Sequence, residues 1–168
     1  MRLPSPGAAA SQGNMPGMKC SARNCLLAVC ALMMLSACRA EEPWVEVKGQ
    51  RFQVEIAADD QTRAMGLMFR DELAENKGMF FLFRREAPRS FWMMNTRIPL
   101  DIIYLDRDLR VVSIVANARP CRGAPCPSYP SRGPAQFVLE INAGRAAALG
   151  LEPGDQLTVS GIDLGSAR

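Results

Sequence analysis

Past residue 43 the chain breaks into strand-length apolar runs, several of them alternating with polar residues at a period of two. Trp44-Val45-Glu46-Val47 and Phe52-Gln53-Val54-Glu55-Ile56 alternate on either side of Gly49 and predict an antiparallel hairpin with Glu46 and Glu55 turned outward. Asp59 or Asp60 can cap a short helix over 61–65, and Gly66 ends it. Leu67, Met68 and Leu73 are then expected to hold an irregular loop on the core. Continuous apolar runs at 79–83 and 91–94 read as two strands separated by the charged turn Arg84-Arg85-Glu86-Ala87-Pro88. Residues 100–105 and 110–116 form a hairpin across Asp106-Arg107-Asp108. The stretch 119–134 holds five prolines and two glycines and predicts a long loop without regular structure. Residues 136–141 alternate as a strand, Asn142 can cap a helix over 143–149, and Gly150 supplies its left-handed stop. Gly154-Asp155 turns the chain into a last strand over 156–160.

Seven or so strands with two short helices predict a mainly β domain over residues 44–163, an antiparallel sheet curled into a small barrel. Strands this numerous and apolar would otherwise expose unpaired edges.

The first 37 residues follow a different pattern. An eleven-residue apolar stretch, 25–35, is preceded by Lys19 and Arg23 and followed by Leu35-Ser36-Ala37-Cys38. It is much shorter than the ~20 residues a membrane span needs, and its basic flank fits a secretory leader. Small residues before a cysteine seat a signal peptidase, and the thiol accepts diacylglycerol, so Cys38 is the expected lipidation site of a bacterial lipoprotein. Met18 would start a more compact leader than Met1. Residues 38–43 form a short tether that keeps the domain within ~20 Å of the bilayer. This places the protein in the cell envelope, facing the periplasm, and Arg39 after the cysteine points to the outer membrane.

Processing changes the charge and the cysteine count. Arg2, Lys19 and Arg23 leave with the leader, so 17 basic residues face 17 acidic ones in the mature chain. The positive charge of the whole chain therefore belongs to the targeting peptide, and no nucleic-acid footprint is expected. Of six cysteines, Cys38, Cys121 and Cys126 remain. An oxidising compartment favours a Cys121–Cys126 disulfide worth about 2 kcal/mol. A redox or metal pair is the rival reading, but Cys-x4-Cys is neither a thioredoxin-type motif nor a full zinc set.

The segment Phe-Trp-Met-Met-Asn-Thr-Arg-Ile-Pro-Leu-Asp, 91–101, is unlike any ordinary amphipathic pattern. It runs apolar, breaks polar at Asn95-Thr96-Arg97, then crosses Pro99 into a second apolar run whose one charge is Asp101. Together with Gly66-Leu67-Met68-Phe69-Arg70, Gly78-Met79-Phe80-Phe81 and Val138-Leu139-Glu140-Ile141-Asn142-Ala143-Gly144, it resembles the bacterial and archaeal family known as domain of unknown function 192. The resemblance covers roughly residues 45–160 and implies a small β barrel. It implies no activity.

The chain has no histidine, which removes Ser-His-Asp and Cys-His catalysis and the commonest transition-metal ligand. It has no phosphate-binding glycine loop, and no cofactor or metal is expected. Trp92, Asn95, Thr96 and Asp101, with Arg70 near, form a polar and aromatic mix suited to a small polar ligand such as a sugar, or to an envelope partner. The plainer alternative has Asn95 and Thr96 satisfying the corner's backbone while Trp92 fills the core. Asp101 and Glu140 lie in otherwise apolar strands and could act as the two carboxylates of a glycan hydrolase. Against that stands a structural role, each acid compensated by Arg70 or Arg97. Met65, Met68, Met79, Met93 and Met94 would suit Cu(I), but their spacing among Phe and Leu marks them as core filler. Ser131, without an activating base, reads as a turn residue.

Overall fold

Two residues in the left-handed region, Lys48 (φ 48°) and Gly49 (φ 77°), close the turn between β1 (Trp44–Val47) and β2 (Gln50–Ala57). That is the geometry of a tight two-residue hairpin. The computed structural model describes residues 42–167, so the leader, Cys38 and the tether up to residue 41 lie outside the described residues. Asp59 caps α1 (Asp60–Met65), accepting from Thr62 N at 2.8 Å while its own N–H donates to Thr62 Oγ1. Through α1 and an irregular loop the chain crosses over, so that β3 (Lys77–Trp92) pairs with β2 in parallel. The sheet is therefore not purely antiparallel as alternation implied, because a helical crossover of this length lets the next strand run in the same direction.

β3 corrects a second expectation. It runs 16 residues through the charged stretch 84–88, with no turn there, against β6 (Ser128–Asn142). Register shifts between Leu82 and Ala87 and between Pro88 and Ser90 absorb the charges and Pro88 as bulges, sites where a ladder tolerates proline. β6 in turn takes residues 128–134 out of the predicted loop. The remaining loop is held by the Cys121–Cys126 disulfide, and Cys121 N donates to Met93 O at 3.0 Å while Asn95 N donates to Cys121 O at 2.8 Å.

β4 (Leu100–Leu105) and β5 (Val111–Ala118) form the expected hairpin, and β4 is buried along its whole length between β5 and β6. The final strand, β7 (Thr158–Ser160), pairs with β1. The seven-stranded sheet thus has the order β5-β4-β6-β3-β2-β1-β7. Its two edges meet at one end: Arg110 bridges Gln156, Val111 N donates to Asp155 O and Leu157 N donates to Leu109 O. The sheet is curled as predicted, and two short helices complete it.

Curling separates two apolar cores. The concave face buries Phe52, Phe80, Ile103, Phe137, Leu139 and Leu157, among others. The opposite face buries Phe81, Met93, Ile102, Tyr104 and Val138, covered by Leu67 and by the corner after β3. Successive side chains of a strand point to opposite faces, so the positions of β4 and of the 137–141 end of β6 alternate between the two cores. α2 (Arg145–Ala148) begins at Gly144, which has φ 84° and no side-chain cap. Asn142 does not cap it; its amide instead donates to Leu73 O at 2.8 Å and Ala74 O at 3.2 Å, tying down the crossover loop.

Candidate functional site

Glu140 is held on the outer-core side of β6, between neighbours Met79 of β3 and Ile102 of β4. Only 4 % of it is accessible, and its carboxyl has no hydrogen-bond or ion-pair partner among the described residues. Burial alone pushes its pKa from 4.5 up to about 8: an ion in an apolar setting loses its water and gains nothing in return. The carboxyl therefore carries its proton at neutral pH. Gly78 makes this seat possible, because a Cβ there would lie 2.6 Å from the Glu140 carbonyl oxygen.

The Glu140 side chain faces a cavity of about 30 Å³, room for a single small group, bordered also by Thr96, Phe81, Phe91, Trp92 and Met65. Thr96 is buried and its N–H is spent on Met93 O, leaving its hydroxyl without a partner among the described residues. The aromatic wall is stiff: Phe91 meets Phe81 edge-on at 5.0 Å and Tyr104 at 5.9 Å. Tyr104 donates to Tyr129 O, and burial, then the charge of Glu140, raise the pKa of its phenol. Trp92 at 55 % exposure and Met65 at 49 % stand at the mouth. Trp92 therefore does not fill the core. A buried, proton-bearing carboxyl and a hydroxyl at the bottom of a cup with an exposed indole on its rim can exchange hydrogen bonds with one polar group while the rings cover apolar carbon.

The structure divides the residues singled out from the sequence. Trp92, Thr96 and Glu140 come together. Asn95, in the left-handed region at φ 56°, lies instead on a surface hollow with Phe69, Asp71 and Arg97, and its carbonyl accepts from Phe69 N at 2.8 Å. Asp101 sits on the concave side of the sheet, opposite Glu140, with Oδ1 accepting from Asn117 N and Oδ2 from Ala146 N, both at 2.8 Å. It fastens the start of α2 to the end of β5. Neither arginine proposed as its partner reaches it: Arg70 holds Glu55 in a two-pronged ion pair, which lowers the Glu55 pKa, and Arg97 holds Asp71. Glu140 and Asp101 share no cleft.

Among the methionines, Met79 and Met93 are buried core residues, while Met65 is exposed. No set of three or more Cys, Asp or Glu residues is placed to hold a metal ion among the described residues. Ser131 lies within β6, where it donates to Gly133 O and accepts from Arg89 N of β3. Sequence reasoning missed the walls contributed by Phe81, Phe91 and Met65. The signal was there in part, since Gly66 ends α1 beside the Phe81 ring, where a Cβ would stand 3.4 Å away.

A seven-stranded curled β sheet with two short helices and a partly apolar cup over one buried acid defines a small, mainly β domain. The chain belongs to the DUF192 family, described as Uncharacterized ACR, whose model matches residues 44–159. A crystal structure of a protein of unknown function from Novosphingobium aromaticivorans DSM 12444 is similar at 44 % identity and TM-score 0.62, covering 69 % of this chain and 82 % of that one. A second, from Sinorhizobium meliloti 1021, whose name proposes it as a transcription regulator, is similar at 36 % identity and TM-score 0.63, covering 71 % of this chain and 93 % of that one. No curated protein matches this chain.

Proposed function

We propose that this chain is a lipid-anchored envelope protein, facing the periplasm, whose β domain binds a neutral hydroxyl-bearing ligand such as a sugar. One polar group of the ligand enters between Glu140 and Thr96, and Trp92 covers the apolar face that follows. The observation that carries this reading is Glu140, a desolvated carboxyl without a partner among the described residues, aimed into a cup with an exposed indole on its rim. Leaving such a group unpaired costs stability, and groups kept at that cost in a cleft mark binding sites. Protonated, Glu140 can donate and accept at once, matching a hydroxyl. The Leu35-Ser36-Ala37-Cys38 motif supports the anchor. Binding is favoured over hydrolysis because Asp101, the second acid such a reaction would use, lies across the sheet with both oxygens occupied.

Trp92 fluorescence, read in a Trp44→Phe background, tests the reading. Titrating glucose, N-acetylglucosamine or their short oligomers into the full chain should change the signal. Glu140→Gln should keep that response and Glu140→Leu should remove it. Silence toward all these sugars, or a response that survives Glu140→Leu, refutes the proposal.

A further inference from the structure

Arg63, Arg84, Arg85 and Arg89 are dispersed between a helix and a strand in the sequence, yet they converge on one cleft of about 870 Å³ between α1 and the middle of β3. Asp60 is the one carboxylate lining it among the described residues; it pairs with Arg63 at 2.7 Å and is fully exposed. Phe83 forms the floor, with the Arg89 guanidinium 3.9 Å and the Arg63 guanidinium 5.2 Å from its ring centre. Both heads are fixed by backbone oxygens: Arg63 donates to Ala58 O and Leu82 O, Arg89 to Ala135 O and Arg85 O. The bulge that lets β3 pass through 84–88 delivers Arg84 and Arg85 to the same place.

What sets the cluster apart is that its arginines are gathered: Arg110, Arg119, Arg122 and Arg132 also lack an ion-pair partner among the described residues, but none of them lines this cleft. Arg51, Arg70, Arg97, Arg107 and Arg145 are each matched by a carboxylate. Arg84, Arg85 and Arg89 have no ion-pair partner among the described residues, and burial, then the nearby Arg63, lower the Arg89 pKa from its ordinary value. Like charges held this close are relieved by an anion.

We propose that this cleft is a binding site for a phosphoryl group. Guanidinium forks match paired phosphate oxygens. Two heads already locked in place lose little freedom when they engage such a group, and an aromatic floor stacks them without competing for the donors. The cleft has room for a headgroup or a phosphorylated sugar as well as for the free ion. The proposal does not depend on the cup under Trp92; Arg63 alone borders both, and the variants below leave it in place.

Isothermal titration of the full chain in non-ionic detergent separates the two sources of such a group. Inorganic phosphate stands for the soluble ion, and glycerophosphoglycerol stands for a phospholipid headgroup. Saturable binding of either supports the site, and the tighter of the two names the source. Affinity should fall with added salt and weaken about tenfold for each of Arg84→Ala and Arg85→Ala. Both residues are exposed, so the melting temperature should not move, and Arg85→Lys should retain part of the binding. No saturable heat with either probe, or equal affinity in the Arg84→Ala/Arg85→Ala double variant, overturns the proposal.

Discussion

Replacing Glu140 by glutamine should stabilise the protein at alkaline pH and change little at acid pH. Folded, the carboxyl keeps its proton until about pH 8, whereas unfolded it ionises near 4.5. Below 4.5 both states hold the proton, and the acid adds no pH dependence. Between 4.5 and about 8 the unfolded chain has released a proton that the folded chain still binds, so stability falls as pH rises, by up to ~1.4 kcal/mol per pH unit. Above about 8 the loss levels off at ~5 kcal/mol, a large share of the ~5–15 kcal/mol that holds a domain together. The chain has no histidine, so no side chain of ordinary pKa obscures this window. The lowered carboxylates, Glu55 and Asp155 among them, have the opposite sign and titrate below it. Urea unfolding of the wild type and of Glu140→Gln at about pH 5, 7 and 9 measures the difference directly. The two proteins should agree near pH 5 and diverge steadily toward pH 9, the variant being the more stable. Parallel pH profiles, or a variant weaker than wild type at pH 9, would mean that Glu140 is solvated or paired and that the cup is not what it is described to be.

Asp101→Asn turns an NH2 toward one of two backbone N–H donors and should cost ~1–3 kcal/mol in urea unfolding; unchanged stability with lost ligand binding would return Asp101 to the ligand site. Gly78→Ala forces a Cβ to within 2.6 Å of the Glu140 carbonyl and should destabilise by ~1–3 kcal/mol, and a melting temperature equal to wild type would show that β3 and β6 do not press together there. Cys38→Ala should leave the protein unlipidated and extractable by washing, and its processing at this site with recovery in washed membranes would refute the anchor.

The first hairpin, the α1 cap and the β4–β5 hairpin were legible because each rests on local chemistry: alternation about Gly49, an aspartate before a short helix and a charged turn between two apolar runs; the curl followed from the number of apolar strands with edges to cover. The long β3–β6 pairing was not. Arg84-Arg85 and the prolines at 130 and 134 read locally as turn and loop, and only the partner strand, bulged opposite them, turns them into a ladder. The site was half legible for the same reason. Glu140 and Asp101 look alike in sequence, each a lone acid in an apolar run, and what separates them is one step of register: Glu140 lies opposite Ile102, whereas Asp101 lies opposite Ile141. That step sends one to the cup beneath Trp92 and the other to two backbone N–H groups. The arginine cleft was legible only as the adjacent pair Arg84-Arg85, because Arg63 and Arg89 join it through the fold and not through the sequence.

Trp44 pairs directly with Ser160 across β1 and β7, so the first and last strands of the domain are neighbours, and the residues after Ser160 fold back on the same core through Ile162, Leu164 and Ala167. A linker could join the two ends, and opening the hairpin at 106–108 would supply new ones at the cost of the Arg107–Glu86 ion pair. Such a circular permutant would keep the seven strands in their order while moving the chain ends to the far end of β4. In the natural order of the chain, a fusion made directly after Ser160 would emerge beside β1 and forfeit the packing of Ile162, Leu164 and Ala167.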